Sequence, residues 1–599
     1  MYEKEIKKRR LDKLRKLNSR RLGRRVRKAE NATIKHAHRF VIKRWSSVRE
    51  VQRHIVGWVL IVGVLVIATG VQLMWYQDSY KTEVPAEGGT YAEAMLGPLD
   101  TLNPLFASSS AEQSASQLIF SRLISYDQKG DLSYDLARNI SINKNRTVYD
   151  VEIKPGVVWH DGEQLTAKDV VFTVDLIKDS ATRTTISGWQ DIEVEAVGES
   201  VVRFTLRAPY VAFKHVLNFP VLPEHILGDV PPVNVRENNF STEPIGSGPF
   251  KFGFTQESSR VIGRKVVHLT KNDDYYAGVP KLARFQLKVY QDTEAIVRAL
   301  SLNEVNAATD LSSTDIGNID HERYESVSIP VQSGLYAIIN TKSPIMSDKD
   351  LRSALRLATD TSSIRDTIPA KVEELFMPIT EDQIRDKDIP KAPRYSNEEA
   401  RKVLDSSGWR VGDNGIRQKS GEELRLSVAV LENSEFERVL DNLILQWREV
   451  GISVETQVLD TSDVMQDAVQ SVIQPRDFDV LVYPLNIGAD PDVYAYWHSS
   501  QATTQGFNFA NYSNTISDES LTSGRTTSDQ ALRNAKYATF VKRWLSDVPA
   551  IGLYQMSSPY IHRQNVKTVS EDARLVSPAV RYANIKDWSV GTQTVYKTP

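Results

Sequence analysis

From His54 to Gln77 the chain runs HIVGWVLIVGVLVIATGVQLMWYQ, 24 residues without Asp, Glu, Lys or Arg. No other stretch limits the fold as strongly. About 20 apolar residues at a rise of roughly 1.5 Å each cross a hydrocarbon core of about 30 Å. Inside that core every backbone N–H and C=O must be satisfied within the segment, so a run of this kind is read as a helix. Trp58 stands near one end and Trp75 and Tyr76 near the other, the positions of interfacial anchors. A cleaved signal peptide would have an apolar stretch of only about 7–15 residues and a small-residue cleavage site. This run is longer and ends in Met-Trp-Tyr-Gln-Asp. The expectation is a retained transmembrane helix over 54–77.

Charge divides the chain at that helix. Residues 1–53 carry 20 Lys or Arg and 5 Asp or Glu, against 54 basic and 71 acidic residues in the remainder, so a net charge of −2 hides a basic tail on an acidic body. The positive-inside rule puts the tail in the cytoplasm and everything from about residue 78 outside. The tail segment KKRRLDKLRKLNSRRLGRRVRK (7–28) lacks the interleaved aromatics of a base-stacking surface, so nucleic acid is not an expected partner. Anionic lipid is, at about 1 kcal/mol per basic residue near the surface. Residues 34–53 have a partial apolar stripe (Phe40, Val41, Trp45, Val48, Val51) suited to a helix along the inner membrane face. There is no cysteine, which removes disulfides, thiolate metal sites and a lipid-modified cysteine anchor.

Residues 78–90 read as a short linker. Beyond them strand-like and helix-like segments alternate. YDVEIK (149–154), SVVRFTLR (200–207), VVHLTK (266–271) and ISVETQVL (452–459) are strand-like. TAKDVVFTVDLIKD (166–179), DTEAIVRALSLNE (292–304) and FERVLDNLILQWREVG (436–451) have helical spacing, with Thr166 and Asp169 placed for a capping box. Helix, glycine and strand in succession suit an α/β layer.

Several segments, in order, resemble the peptide, dipeptide and nickel family of ABC-transporter solute-binding proteins: GPLDTLNPLFA (97–107), residues 119–177 with the turn Lys154-Pro-Gly-Val-Val-Trp-His-Asp-Gly162, IGSGPFKF (245–252), LTKNDDYYAGVPKL (269–282), residues 335–360, DFDVLVYPLNIGADPDVYAYW (477–497) and VPAIGLYQ (548–555). The resemblance implies an α/β fold of two lobes, the periplasmic-binding-protein-like type II or Venus flytrap arrangement, behind an N-terminal transmembrane helix. Lobe one would take 85–330 and 557–599, lobe two 342–548, with hinge strands at 331–341 and 549–556. It further implies capture of peptides or peptide-like solutes between the lobes and their delivery to an ABC permease and its ATPase. A sensor or scaffold of the same fold, or a receptor for a nickel-type chelate, are the alternatives.

Locally, His160-Asp161 is too slight for a metal or acid–base pair, GSGPF (246–250) lacks the Lys and Ser/Thr of a phosphate loop, and the carboxylates of NDDYYAG (272–278) read as solvated. The histidines are scattered and no HExxH or GxSxG occurs, so neither an enzyme, a metal centre nor a cofactor is expected. In family members that bind a free peptide amine, an Asp three residues before the Asp/Glu-Pro pair supplies the countercharge. Here that position is Ile487, before Asp490-Pro491. A buried ammonium needs a countercharge, so Asp490 and Asp492 become the replacements, with Tyr336, Tyr483, Tyr494, Tyr496 and Trp497 as candidate cleft aromatics.

Overall fold

A computed structural model describes residue 35 and residues 45–79, 81–257, 264–384, 389–460 and 468–596. The chain forms two compact units, residues 1–84 with 593–599, and residues 85–592. In the first, helix α1 (Trp45–Ser79) is 35 residues long. Its apolar part, His54–Tyr76, has a mean hydropathy of 2.3 and no buried residue. Strand β1 (Lys81–Pro85) follows within the segment read as a linker and pairs with the last strand of the chain (Thr592–Tyr596). The basic tail to residue 34, and Phe40 and Val41 of the proposed stripe, lie outside the described residues.

The second unit is organised by one ten-stranded sheet. Its members in chain order are β2 (Thr90–Leu96), β3 (Phe250–Glu257), β4 (Lys265–Lys271), β5 (Arg284–Tyr290), β6 (Ala307–Ala308), β7 (Tyr324–Ile339), β8 (Arg425–Leu431), β9 (Ser453–Leu459), β10 (Val480–Asn486) and β11 (Ala550–Arg563). Their spatial order is β9-β8-β10-β7-β11-β6-β2-β5-β4-β3. Lobe one thus holds one end of the sheet and lobe two the other. The long antiparallel pair β7 and β11 lies between the two ends. Tyr324–Pro330 pair with Arg563–Ser557, the register breaks between Pro330 and Gly334, and pairing resumes from Gly334 opposite Gln555. A break of this kind bends a ladder.

Local sequence explains the elements. Helix α2 (Ser110–Ile119) starts on a capping box of Ser109 and Glu112, and α3 (Ala167–Lys178) on one of Thr166 and Asp169. Helix α4 (Ser434–Glu449) is capped by Asn433, and the chain turns at Gly451, φ +84°, into β9. One face of lobe two's sheet packs on Val439, Leu440, Leu443 and Trp447 of α4. The other packs on Tyr537, Phe540, Val541 and Trp544 of α6 (Gln530–Asp547), which follows α5 (Thr515–Thr526). Lobe one adds a four-stranded antiparallel sheet, Ala137–Ile142, Val148–Ile153, Val201–Leu206 and Ile192–Ala196. Its core contains a buried ion pair. Glu93 Oε1 accepts from Arg581 at 2.9 and 2.6 Å and from the Tyr582 hydroxyl at 2.9 Å, and Tyr560 donates to Oε2 at 3.2 Å. These bonds compensate the desolvation of both charges.

Candidate functional site

The sheet register locates the cleft. In lobe one β2, β5 and β6 are parallel, and in lobe two β8, β9 and β10 are parallel. Ala307 and Ala308 at the end of β6 lie opposite His562 and Ile561 of β11, while Asn486 at the end of β10 lies opposite Ser333 of β7. The carboxyl ends of both parallel sets therefore point at the place where β7 and β11 lose register. Ligands of open α/β sheets sit beyond such carboxyl ends.

On lobe two's side, the chain leaves β10 with the Ile487 and Gly488 N–H groups both donating to the Gln332 carbonyl, at 2.9 and 3.0 Å. Gly488 adopts φ +76°, which turns the following Ala-Asp-Pro-Asp segment. Gln383 Nε2 donates to the Gly488 carbonyl at 2.7 Å, and Gln332 itself joins Thr380 and Asp382. Arg533 grips Asp490 with two bonds of 2.9 and 2.6 Å, and Arg525 donates to Asp492 at 2.9 Å.

Lobe one meets these groups directly. The Arg525 guanidinium lies 4.7 Å from the Tyr210 ring of lobe one and 4.5 Å from the Tyr494 ring of lobe two. The Val211 N–H donates to the Arg525 carbonyl at 2.8 Å. His215 Nε2 stands 3.8 Å from Asp490, and its Nδ1 pairs with the Tyr126 hydroxyl at 3.0 Å. Away from this contact, Arg574 of lobe one and Glu373 of lobe two form a two-bond ion pair of 2.8 and 2.9 Å.

Burial sets the electrostatics. It raises the Asp492 carboxyl above its ordinary range, and Arg525 pulls it back. It lowers the His215 imidazole, which Asp490 partly restores. The Tyr210 hydroxyl is raised by burial and by Asp492. Both carboxylates on the lobe-two rim are thus already matched to arginines of their own lobe.

Of the residues singled out from sequence, the structure gathers Ile487, Asp490, Asp492 and Tyr494 at the rim. Tyr483 is half-buried against Phe509, with ring centroids 5.4 Å apart, and the Tyr496 hydroxyl donates to the Asn486 carbonyl at 2.8 Å. Tyr336 and Trp497 belong to the packing of lobe two, at 0 % and 1 % exposure. Tyr336 donates to the Met377 carbonyl at 3.0 Å, and both rings pack edge-on with each other and with Trp544. Tyr336, on β7, and Trp497, at the end of the short helix Tyr494–Trp497, both pack in the cluster that contains the buried face of α6.

The motifs set aside from sequence are structural. Both ring nitrogens of His160 are engaged with the Gly246 N–H and the Gly248 carbonyl, and burial pushes its pKa down to about 4. Asp161 pairs instead with His225 at 2.9 Å. Gly246 and Gly248 pass so close to the Ile119 carbonyl that a Cβ would meet its oxygen at 1.9 and 2.7 Å, so GSGPF is a close-approach turn. Asp273 and Asp274 pair with Lys271 and Lys251 at the surface. Tyr210, His215, Arg525 and Arg533 were not legible in the sequence. Each arginine lies more than 30 positions from its carboxylate and carries no local signal.

Residues 131–507 match the bacterial extracellular solute-binding proteins, family 5. The oligopeptide-binding protein AppA of Bacillus subtilis is 29% identical over 505 residues, 81% of this chain and 89% of that protein. The structure of AppA in complex with a nonapeptide superposes with a TM-score of 0.68 at 27% identity, covering 85% of this chain and 100% of AppA. NikZ of Campylobacter jejuni, in complex with Ni(L-His), shares the fold with a TM-score of 0.70 at 23% identity, over 84% of this chain and 99% of its own.

Proposed function

The chain belongs to family 5 of the bacterial extracellular solute-binding proteins, and from that premise we propose that it is a membrane-tethered peptide receptor feeding an ABC importer. Peptide would enter the seam between the lobes, draw them together, and be passed to the permease and its ATPase. Ligand drives closure only through contacts that are better in the closed state. On this reading the chain captures and releases, and does no chemistry on its cargo. Helix α1 anchors it, the body lies outside the cell, and the basic tail lies inside against anionic lipid. The observation that carries the peptide assignment is the likeness to AppA over 81% of this chain and 89% of that protein. Ile487, Asp490, Asp492, Tyr483 and Tyr494 form the proposed lobe-two wall.

Native mass spectrometry of the full chain in detergent tests the reading. Co-purified peptides, or a rise in melting temperature with a nonapeptide pool, are the expected results, since a ligand at 100 times its Kd stabilises by about 2.7 kcal/mol. An empty protein that no peptide stabilises would overturn it.

A further inference from the structure

Lobe one also holds a pocket of its own. Its walls come from the hairpin of Ile124–Tyr126 and Leu132–Tyr134, from the end of α2, and from the segment Pro578–Asp587. The pocket measures about 930 Å³ and opens to solvent. Three cations line it, Arg122, Lys154 and Lys586. Among the described residues no Asp or Glu oxygen comes within 4.0 Å of any of the three. Arg122 is only 7 % exposed, and burial lowers its guanidinium to about 10, against the pull of Asp135 from farther off. Its Nη1 donates to Gln117 at 2.9 Å and its Nη2 to Ser116 at 3.0 Å, both neutral acceptors. A guanidinium has five N–H donors, so most of this one's have no protein acceptor. Lys154 Nζ donates to the Tyr134 and Asp135 carbonyls, and Lys586 Nζ to the Ala277 carbonyl at 3.0 Å. Burial lowers the Lys154 ammonium, Asp135 partly restores it, and Lys586 lowers it further, so the two ammonium groups feel each other. The carboxylates on the same wall are already engaged. Asp135 accepts from the Arg122 N–H at 2.8 Å and from the Tyr276 hydroxyl. Asp127 accepts from the Lys129 and Asp131 N–H groups of its own turn, at 2.8 and 3.0 Å.

We propose that this pocket is a second binding site, distinct from the seam between the lobes, and that it takes a small solute bearing a phosphoryl group. A buried guanidinium without a counter-ion carries a desolvation cost that an incoming anion offsets. Its planar fork suits two oxygens of one group. Two ammonium groups on the same pocket favour a ligand with more than one negative charge, and a phosphate monoester carries about 1.5–2 at neutral pH. The remaining wall suits the organic part of such an ester. Tyr134 is 46 % exposed, and with Phe120 and Tyr275 it gives the pocket an aromatic side. A purely structural Arg122, serving only Gln117, Ser116 and the field of Asp135, would give the pocket no preference for a doubly charged anion.

Isothermal titration of the full chain in detergent tests this with three probes, phenyl phosphate, inorganic phosphate and benzoate. Phenyl phosphate is expected to bind most tightly, and inorganic phosphate more weakly for want of the aromatic contact. Benzoate, with a single charge, should bind at least about tenfold more weakly than phenyl phosphate, the usual scale of a charged hydrogen bond. R122Q should weaken phenyl phosphate by at least about tenfold as well. K586Q changes an exposed side chain and so reads binding without disturbing the core. It should cost about threefold, the scale of an exposed charge pair. Phosphate that binds as tightly as the ester would keep the site and identify the free ion as its ligand. A wild type that binds neither phosphate nor phenyl phosphate at millimolar concentration, or that binds benzoate equally well, would overturn the proposal. So would phenyl phosphate affinity unchanged in both variants, and where R122Q fails to fold, unchanged affinity in K586Q alone overturns it.

Discussion

Arg525 ties the two lobes together at the rim, since it meets Asp492, Tyr494 and, from the opposite lobe, Tyr210. Asp492 is only 6 % exposed on its side chain, so R525A would strand a buried carboxylate. Breaking a buried pair from one side costs about 3–5 kcal/mol. Arg525 keeps a third of its side chain in water, so about 2–3 kcal/mol is expected here. The deficit should shrink toward acid pH, because the Asp492 carboxyl sits above its ordinary value and protonates early. Chemical denaturation at pH 7 and pH 5 checks this, and R525A/D492N should recover much of the loss. A deficit equal at both pH values would mean that Arg525 acts through its ring contacts alone. His215 gives a second pH signature. Its folded pKa lies below the unfolded one through burial, against the pull of Asp490 and with the push of Arg533 and Lys214. The unfolded chain therefore takes the proton first, and stability is lost as pH falls below about 6.5. Melting temperatures between pH 7.5 and 5.5 should fall less steeply in H215Q than in wild type. Parallel slopes would remove His215 from the account.

At the scale of elements, two kinds of glycine separate. Gly552 in β11 and Gly246 in the GSGPF turn face backbone, with a Cβ landing 2.3 Å from the Leu375 carbonyl oxygen and 1.9 Å from that of Ile119. Gly162 has open space around it and only a φ of +99°. G552A and G246A should each cost about 3 kcal/mol or more, and G162A about 1 kcal/mol, the penalty of the backbone angle. Urea titration ranks them, and a G246A as mild as G162A would show that the turn yields. The elements themselves were legible where a cap or a period marks them. The helix expected over 166–179 is found over Ala167–Lys178 on the capping box of Thr166 and Asp169, and the strand expected over 452–459 is Ser453–Leu459. The seam was less legible. Arg525 and Arg533 sit in α5 and α6, and only the return of those helices over β10 brings them to the Asp-Pro-Asp turn. Tyr336 looked like a cleft residue because the sequence shows a strand of aromatic and aliphatic residues without showing which face meets α6.

For the whole molecule, the sequence marked the fold and the long apolar helix by independent signals. The body is recognised by many short segments in order, and the helix by one uninterrupted run. That run sets the last prediction. From Ile55 to Tyr76 the large apolar side chains of α1 are 44–81 % exposed, a surface that water would penalise along its full length. The full chain should therefore stay with the membrane through alkaline carbonate washing, while a chain beginning at Lys81 should remain in the soluble fraction. Charges at the middle of the helix should act in proportion, since each costs about 2.5–3.5 kcal/mol there. V64D alone is expected to weaken retention, and V64D with I67K to release most of the chain. Orientation follows from the basic flank, so protease added to intact cells should degrade the body and spare an epitope placed before residue 34. Protection of the body under those conditions would reverse the topology and exclude an extracellular receptor. A wild-type chain released by carbonate would show that the exposed face of α1 is covered by protein instead of lipid.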